Sequence, residues 1–442
     1  MTELSDGPGP GLDAASSVPV ATRWGLLKRI GFRFVFSYFV LYAFPFPLGS
    51  LPWTEKAREL YDALVQPMVL WVGPSILGID GPIATEFNGS GDRTYYYVLL
   101  FCQLVLAIAA TVIWTLVDRR PRRHERLLEG LRLYVRVYLG TLMLSYGFAK
   151  IFEGQFPVPG PRQLATTYGD SSPMGLLWTF MGFSRPYTMF AGFMEALPGA
   201  LLFFRRTATV AALVLLAVMG NVVLLNFCYD VPVKLLSTHL WLMCLFLAAP
   251  AIPRLVAVLV LNRPAPPVPS TTLPTSRRAR TVCAGLYVIA SGALAYEVIV
   301  PTVERHMKRT DVSPATSAMR DHYTVDEMTV DGRPLALADT DRWSGAWIQR
   351  QAIWIYRADG TSQRYLAAAE IPGSPALDLR LPTDAADVRR AHLEMRREAG
   401  KLILDGDLDG KQVTVRLASM GPPESLLMTR GFHWVNEVPF NR

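Results

Sequence analysis

Ala208-Thr209-Val210-Ala211-Ala212-Leu213-Val214-Leu215-Leu216-Ala217-Val218-Met219-Gly220-Asn221-Val222-Val223-Leu224-Leu225 runs for 18 residues without a charge. A helix rises 1.5 Å per residue, so this stretch is about 27 Å long, close to the ~30 Å hydrocarbon core of a bilayer. It reads as a transmembrane helix. Working outward, the candidate spans are 29–48, 95–117, 131–152, 186–204, 207–227, 232–250 and 279–300. The 95–117 span opens on Tyr95, Tyr96 and Tyr97, an interfacial aromatic belt. The composition agrees: 442 residues, 51% hydrophobic and 18% charged, with mean hydropathy +0.23. That is too apolar for an ordinary soluble protein.

The formal charge of +7 is unevenly spread. Residues 301–442 hold 19 Lys+Arg against 20 Asp+Glu, so the excess lies in short runs beside the apolar segments. This is a membrane-topology pattern and excludes a nucleic-acid footprint. Arg23, Lys28 and Arg29 precede the first span. Arg119, Arg120, Arg122, Arg123 and Arg126 follow the second, and Arg205 and Arg206 follow the fourth. Arg254, Arg263, Arg277, Arg278 and Arg280 lie between the sixth and seventh. The alternate gaps are acid-balanced or sparse in cations. Seven spans with cationic loops inside place the N-terminus in the cytoplasm and the C-terminus outside.

Four segments lie outside this scheme. Residues 1–22 are polar, without the apolar core of a signal peptide, and read as a disordered cytoplasmic tail. Residues 57–78, interrupted by Pro67 and Pro74, read as an interfacial or re-entrant element. Residues 252–262 read as a short amphipathic helix at the inner surface, and 263–276 as a Pro-rich cytoplasmic linker. The membrane domain is thus 23–300.

From 301 the pattern changes period. Alternating stretches appear at 323–330, 346–357, 362–368, 376–381, 391–397, 401–406 and 412–418. Ala358-Asp359-Gly360-Thr361, Ala399-Gly400 and Asp407-Leu408-Asp409-Gly410 are turn signals between them. Residues 301–442 are therefore expected to form a small antiparallel barrel or sandwich outside the membrane, with Trp343, Trp347, Trp354 and Trp434 as core or rim residues. The tail at 430–442 reads either as a last strand with a packed terminus or as a segment docking over the membrane domain.

Ionisable side chains in spans face a bundle interior or a watery cavity. Lys150 ends the third span, with Tyr146 and Glu153 at helical spacing on its face. Lys150 could instead snorkel to the interface or pair with Glu153. Glu195 is the charge within the fourth span, about 15 Å from its start at 1.5 Å per residue. Asn221, His239, Gln103 and Tyr42 lie at similar depth on four other spans. Any one of these is explained by an interhelical hydrogen bond. Together they are expected to form one outward-facing polar pocket, able to bind a headgroup, a quinone carbonyl or an anion, or to relay protons.

Other chemistries lack their residues. Cys102, Cys228, Cys244 and Cys283 form no CxxC or zinc spacing. No phosphate-binding glycine loop is present, and His239 has no second span histidine with which to ligate haem.

Residues 131–250 resemble the DoxX-like superfamily of four-helix membrane proteins. The matching features are Gly147-Phe148-Ala149-Lys150, a loop with Gly and Pro, Glu195 followed by a Gly, Leu201-Leu202 and the basic turn Arg205-Arg206-Thr207. The Lys-bearing helix is also similar to HTTM domains. The DoxX-like resemblance implies Lys150 and Glu195 as a polar pair and a link to quinone-coupled or other membrane redox chemistry. This chain departs from it by two added N-terminal spans, a seventh span and the outer β domain. It also lacks a cysteine pair for thiol chemistry.

The expectation is a seven-span α-helical protein of a bacterial cytoplasmic membrane, with an extracytoplasmic all-β domain. Lys150, His239 and Glu195 are the candidate catalytic residues, with Tyr146, Lys150, Glu153, Asn221, Gln103 and Tyr42 binding a quinone or other amphiphile. Membrane lipid and a protein partner at the β domain are further expected partners. The alternatives are a non-enzymatic assembly, sensor or docking protein, and an HTTM-type lipid- or carboxylate-handling enzyme.

Overall fold

The computed structural model describes residues 24–51, 54–86, 88–118, 124–160, 163–164, 166–265, 276–310, 322–348, 352–367, 376–382, 384, 388–419 and 426–430. The expected tail at 1–22, most of the 263–276 linker and residues 431–442, including Trp434, lie outside these. The helices are α1 (Leu26–Ala43), α2 (Glu55–Leu77), α3 (Thr94–Val117), α4 (Glu125–Ile151), α5 (Pro173–Phe183), α6 (Arg185–Leu202), α7 (Ala208–Cys228), α8 (Lys234–Ala248), α9 (Ile252–Leu255) and α10 (Arg277–Thr310), with α11 (Leu426–Thr429) near the C-terminus.

Among the described residues, four helices are long and apolar enough to cross a membrane: α2, α3, α7 and residues Thr281–Met307 of α10. A fifth is made if α8 and Ile252–Val260, bent by 62° at a short break, count as one span. The expected spans at 29–48, 131–152 and 186–204 are helical but more polar. Lys28, Arg29 and Arg33 lie in α1, Arg132, Arg136 and Lys150 in α4, and Arg185 and Glu195 in α6. The first ends at Ala43, just before Pro45 and Pro47.

Most of residues 57–78 lie in one continuous 23-residue helix, Glu55–Leu77, which runs through Pro67 and Pro74. A proline removes one backbone donor, and packing of Val69 and Val72 against Val98 and Cys102 of α3 holds the helix together across that loss. Gly78, at φ 63, closes it, and Ile79 N–H returns to Gly73 O at 3.1 Å. Residues 252–262 form α9 and a π-helical turn whose Val258, Leu259 and Val260 are all exposed, rather than a one-sided amphipathic helix.

The chain divides into two compact units. The first comprises 1–142, 198–223 and 232–297, and the second 143–197, 224–231 and 298–442. In the first unit α1 packs on α3 around Phe39, Ala107, Leu131, Val135 and Met243. Arg33 is fully buried there, donating to Thr115 Oγ1 at 3.0 Å and to Asp118 O at 2.9 Å. The C-terminal carbonyls of α6 are capped by Arg136, whose Nε donates to Leu202 O at 2.8 Å, and by Tyr287, whose hydroxyl donates to Phe203 O at 2.7 Å.

The second unit contains the β domain. Its strands are β1 (His322–Val330), β2 (Arg333–Pro334), β3 (Trp343–Ile348), β4 (Ala352–Arg357), β5 (Ser362–Ala367), β6 (Ala376–Arg380), β7 (Ala391–Glu398), β8 (Lys401–Leu408) and β9 (Lys411–Ser419). All pairings are antiparallel between neighbours, and β1 also pairs with β9. The sheet therefore closes into an eight-stranded barrel, with the two-residue β2 as a side hairpin. The stretch 346–357 is two paired strands, β3 and β4, with Trp347 opposite Trp354. Inward residues fill the interior, among them Trp343, Ile353, Leu377, Leu393, Leu404 and Val415. Asp331-Gly332, Ala399-Gly400 and Asp409-Gly410 each have two positive φ angles, the turn whose twist matches that of the paired strands.

Gly406, at φ 150, pairs with Leu393 in the β7–β8 ladder, and a Cβ there would lie 2.1 Å from His392 O. Gly406→Ala is expected to destabilise the barrel by about 2 kcal/mol or more. Gly400→Ala, whose added Cβ meets open space, should cost only about 1 kcal/mol. Proteolytic resistance of the barrel along a thermal ramp measures both, and equal losses would contradict the close approach.

Candidate functional site

Lys150 and Glu195 face each other because two helices touch. A Cβ at Gly147 of α4 would lie 2.6 Å from Ala196 N and 2.7 Å from Gly192 O of α6. A Cβ at Gly192 would lie 2.6 Å from Gly147 O. The backbones are in contact, which only glycine permits. Lys150 lies three residues beyond Gly147, and Glu195 three beyond Gly192, on opposite sides of the crossing of two antiparallel helices, and their long side chains reach back across it to meet. Lys150 Nζ donates to Glu195 Oε2 at 2.6 Å, and both residues are buried. Lys150 is also in the last turn of α4, where a cation complements the helix dipole.

Aromatic rings line this pair. Nζ is 5.7 Å from the Tyr146 ring and 5.9 Å from the Phe156 ring. Phe156 packs edge-on against Trp178 of α5, with centroids 5.0 Å apart. An ammonium over aromatic faces is stabilised electrostatically, more so when desolvated. A lysine, a carboxylate and three rings make a polar centre with flat apolar walls.

The Lys150–Glu153 alternative gives way to a different pairing. α4 ends at Ile151, and Glu153 takes φ 53 while Gly154 N–H returns to Ala149 O at 2.7 Å. Glu153 leaves the Lys150 face and pairs with Arg185 at the start of α6. That pair ties the C-terminus of α4 to the N-terminus of α6. His306, near the end of α10, packs on the Phe152 ring at 5.1 Å. In the loop after α4, a Cβ at Gly160 would lie 3.7 Å from the Trp347 ring of β3. The barrel and the Lys150–Glu195 pair thus share one unit.

His239 and Tyr42 belong to a different cluster with Tyr38, in the first unit, where Gln103 also lies. His239 Nδ1 is 2.6 Å from Leu235 O and Nε2 is 2.5 Å from the Tyr38 hydroxyl. A carbonyl only accepts, so Nδ1 carries the proton and Nε2 accepts from Tyr38 in the neutral ring. The Tyr42 ring stacks on the imidazole at 4.0 Å and 6°. Gln103 Nε2 donates to Leu41 O at 3.2 Å. That carbonyl's helical donor would be residue 45, a proline without an N–H, so Gln103 serves as a cap. Asn221 is exposed on α7 and joins neither cluster. α7 is apolar all round, so the sequence offers no face from which to read its direction.

Several supporting residues escaped the sequence reading. Asp92 accepts from Lys234 N at 2.7 Å and Leu235 N at 3.0 Å, capping α8 and fixing the turn that carries His239. Its place just before α3 suggests only a local role. Tyr38 was masked by the aromatic run around it. Asn226, one turn past Asn221, is the buried asparagine of α7.

Removing one member of a buried ion pair leaves an uncompensated charge, at a cost of about 3–5 kcal/mol. Lys150→Met and Glu195→Leu should each lower thermal stability in detergent strongly, while the double variant recovers most of the loss. Additive losses would show that the two side chains do not interact.

No protein-family profile matches the chain, and no solved structure matches it. Among curated proteins it is similar to the uncharacterized protein YwoB of Bacillus subtilis (strain 168), 33% identical over 132 residues, which is 30% of this chain and 84% of YwoB. With that identity sustained over most of the relative's length, the chain belongs to the family of YwoB.

Proposed function

We propose that this chain is an integral protein of a bacterial cytoplasmic membrane that holds a quinone or similar amphiphile at Lys150 and Glu195 for a redox-linked role. The buried Lys150–Glu195 pair among Tyr146, Phe156 and Trp178 carries the reading. A quinone is flat and apolar with two carbonyl acceptors. Lys150 would donate to a carbonyl, Glu195 would supply or take a proton, and the rings would pack on the quinone's faces. The DoxX-like resemblance over 131–250 implies the same pair. Asn221 has no part in this reading, and His239, with both nitrogens engaged, contributes through a separate cluster.

The proposed topology keeps seven spans, with α2 on the outer side between α1 and α3. The cations around the start of α1 (Arg23, Lys28 and Arg29) and after α3 belong on one side of the membrane, which requires an even number of crossings between them. α1 and α3 supply two, and a crossing by α2 would make three. Glu55, Lys56, Arg58, Glu59 and Asp62 in the first turns of α2 suit an interface. The barrel then lies on the extracytoplasmic side of the membrane.

A second reading is structural. Lys150 and Glu195 satisfy each other at a glycine crossing, as interhelical glue would. The barrel would then be the functional end, docking a protein partner.

Native mass spectrometry with lipid extraction separates the two. A quinone retained by the wild type and lost in Glu195→Gln is expected. A wild type that carries no amphiphile would favour the structural reading. Cysteine placed at Ser90 should be labelled by a membrane-impermeant maleimide from outside intact cells, and protection there would overturn the topology.

A further inference from the structure

A phenol loses an electron readily only if its proton leaves at the same time. In an apolar core that proton needs a base already in hydrogen-bond contact. Tyr134 and Tyr287 donate to backbone carbonyls, which cannot take a proton. Tyr38 instead meets His239 Nε2 at 2.5 Å, on a ring whose Nδ1 proton is committed to Leu235 O. Asp92 fixes the first turn of α8, so the imidazole is held in place by the backbone rather than by solvent. The Tyr42 face, stacked at 4.0 Å, would stabilise an imidazolium once formed. Tyr42 is half-buried and its ring is 6.2 Å from that of Tyr38, which offers an electron a short route toward lipid.

We propose that Tyr38 is an oxidisable side chain that reduces a lipid peroxyl radical by one electron while His239 takes its proton. The Tyr38 O–H bond breaks and its proton bonds to Nε2. The electron passes to the peroxyl radical, whose anion takes a proton from water at the interface. The products are a lipid hydroperoxide, a Tyr38 phenoxyl radical, a His239 imidazolium still bonded to Leu235 O, and the hydroxide left by the interfacial water, which balances the imidazolium charge. This cluster stands apart from Lys150 and Glu195 in the chain's organisation, and the inference does not depend on a quinone being bound there.

The test uses the full chain in proteoliposomes with a lipid-soluble azo initiator, which generates peroxyl radicals within the bilayer, and freeze-trapped electron paramagnetic resonance. With 17 tyrosines in the chain, the variants decide which one carries the radical. A neutral tyrosyl signal is expected in the wild type, lost in Tyr38→Phe and retained in Tyr134→Phe. It should also be lost in His239→Gln, which keeps the phenol but removes the base. A signal that survives in Tyr38→Phe, or a wild type without one, overturns the proposal. A signal retained in His239→Gln overturns the role of His239 as the base.

Discussion

The contact between Gly147 and Gly192 is the constraint on which the candidate site depends. Lipid tails are as apolar as leucine, so helices in a bilayer gain little from the hydrophobic effect and associate through close packing and polar contacts. Two glycines let the backbones of α4 and α6 touch, and a lysine and a glutamate placed just beyond them reach across the crossing into direct contact. In a low-dielectric setting such a pair is self-enforcing, because either charge alone would be expensive. Arg185 and Glu153 tie the same two helices at one end. In the first unit a Cβ at Gly140 would lie 3.0 Å from Gly199 O, so the glycine contact recurs seven residues along each helix.

The β domain was the most legible part of the chain. Its strands alternate with period two, and Ala399-Gly400 and Asp409-Gly410 supply the positive φ angles that hairpins need. The one run misread there, 346–357, is two paired strands, and the Gln349-Arg350-Gln351 between them offers no Gly, Pro, Asn or Asp as a turn signal. Lys150 and Glu195 could be singled out because charge is rare in apolar runs. Their mutual contact could not be read, since it depends on how two helices cross.

Elsewhere the sequence was silent for physical reasons. Asn221 stands in a helix that is apolar on every side, so depth was readable and direction was not. The partner of His239 is Tyr38, 201 residues away, and the residue that fixes its helix, Asp92, sits at the start of another. Gln103 looked like a ligand residue and proves to replace a donor that Pro45 lacks. α2 looked broken by its prolines, yet packing against α3 keeps it whole. In each case a tertiary contact settled what local pattern left open.

The buried Lys150–Glu195 ion pair is the centre of the proposed function. The most direct measurement is the Lys150 Nζ to Glu195 carboxylate distance by solid-state NMR in bilayers, before and after adding a short-chain quinone. The account predicts close contact without ligand, within about 4 Å as for an ion pair, and a longer separation once the quinone carbonyl takes over the Lys150 donor. A distance unmoved by ligand would leave the pair as structural glue. The absence of close contact in the unliganded protein would contradict the site itself.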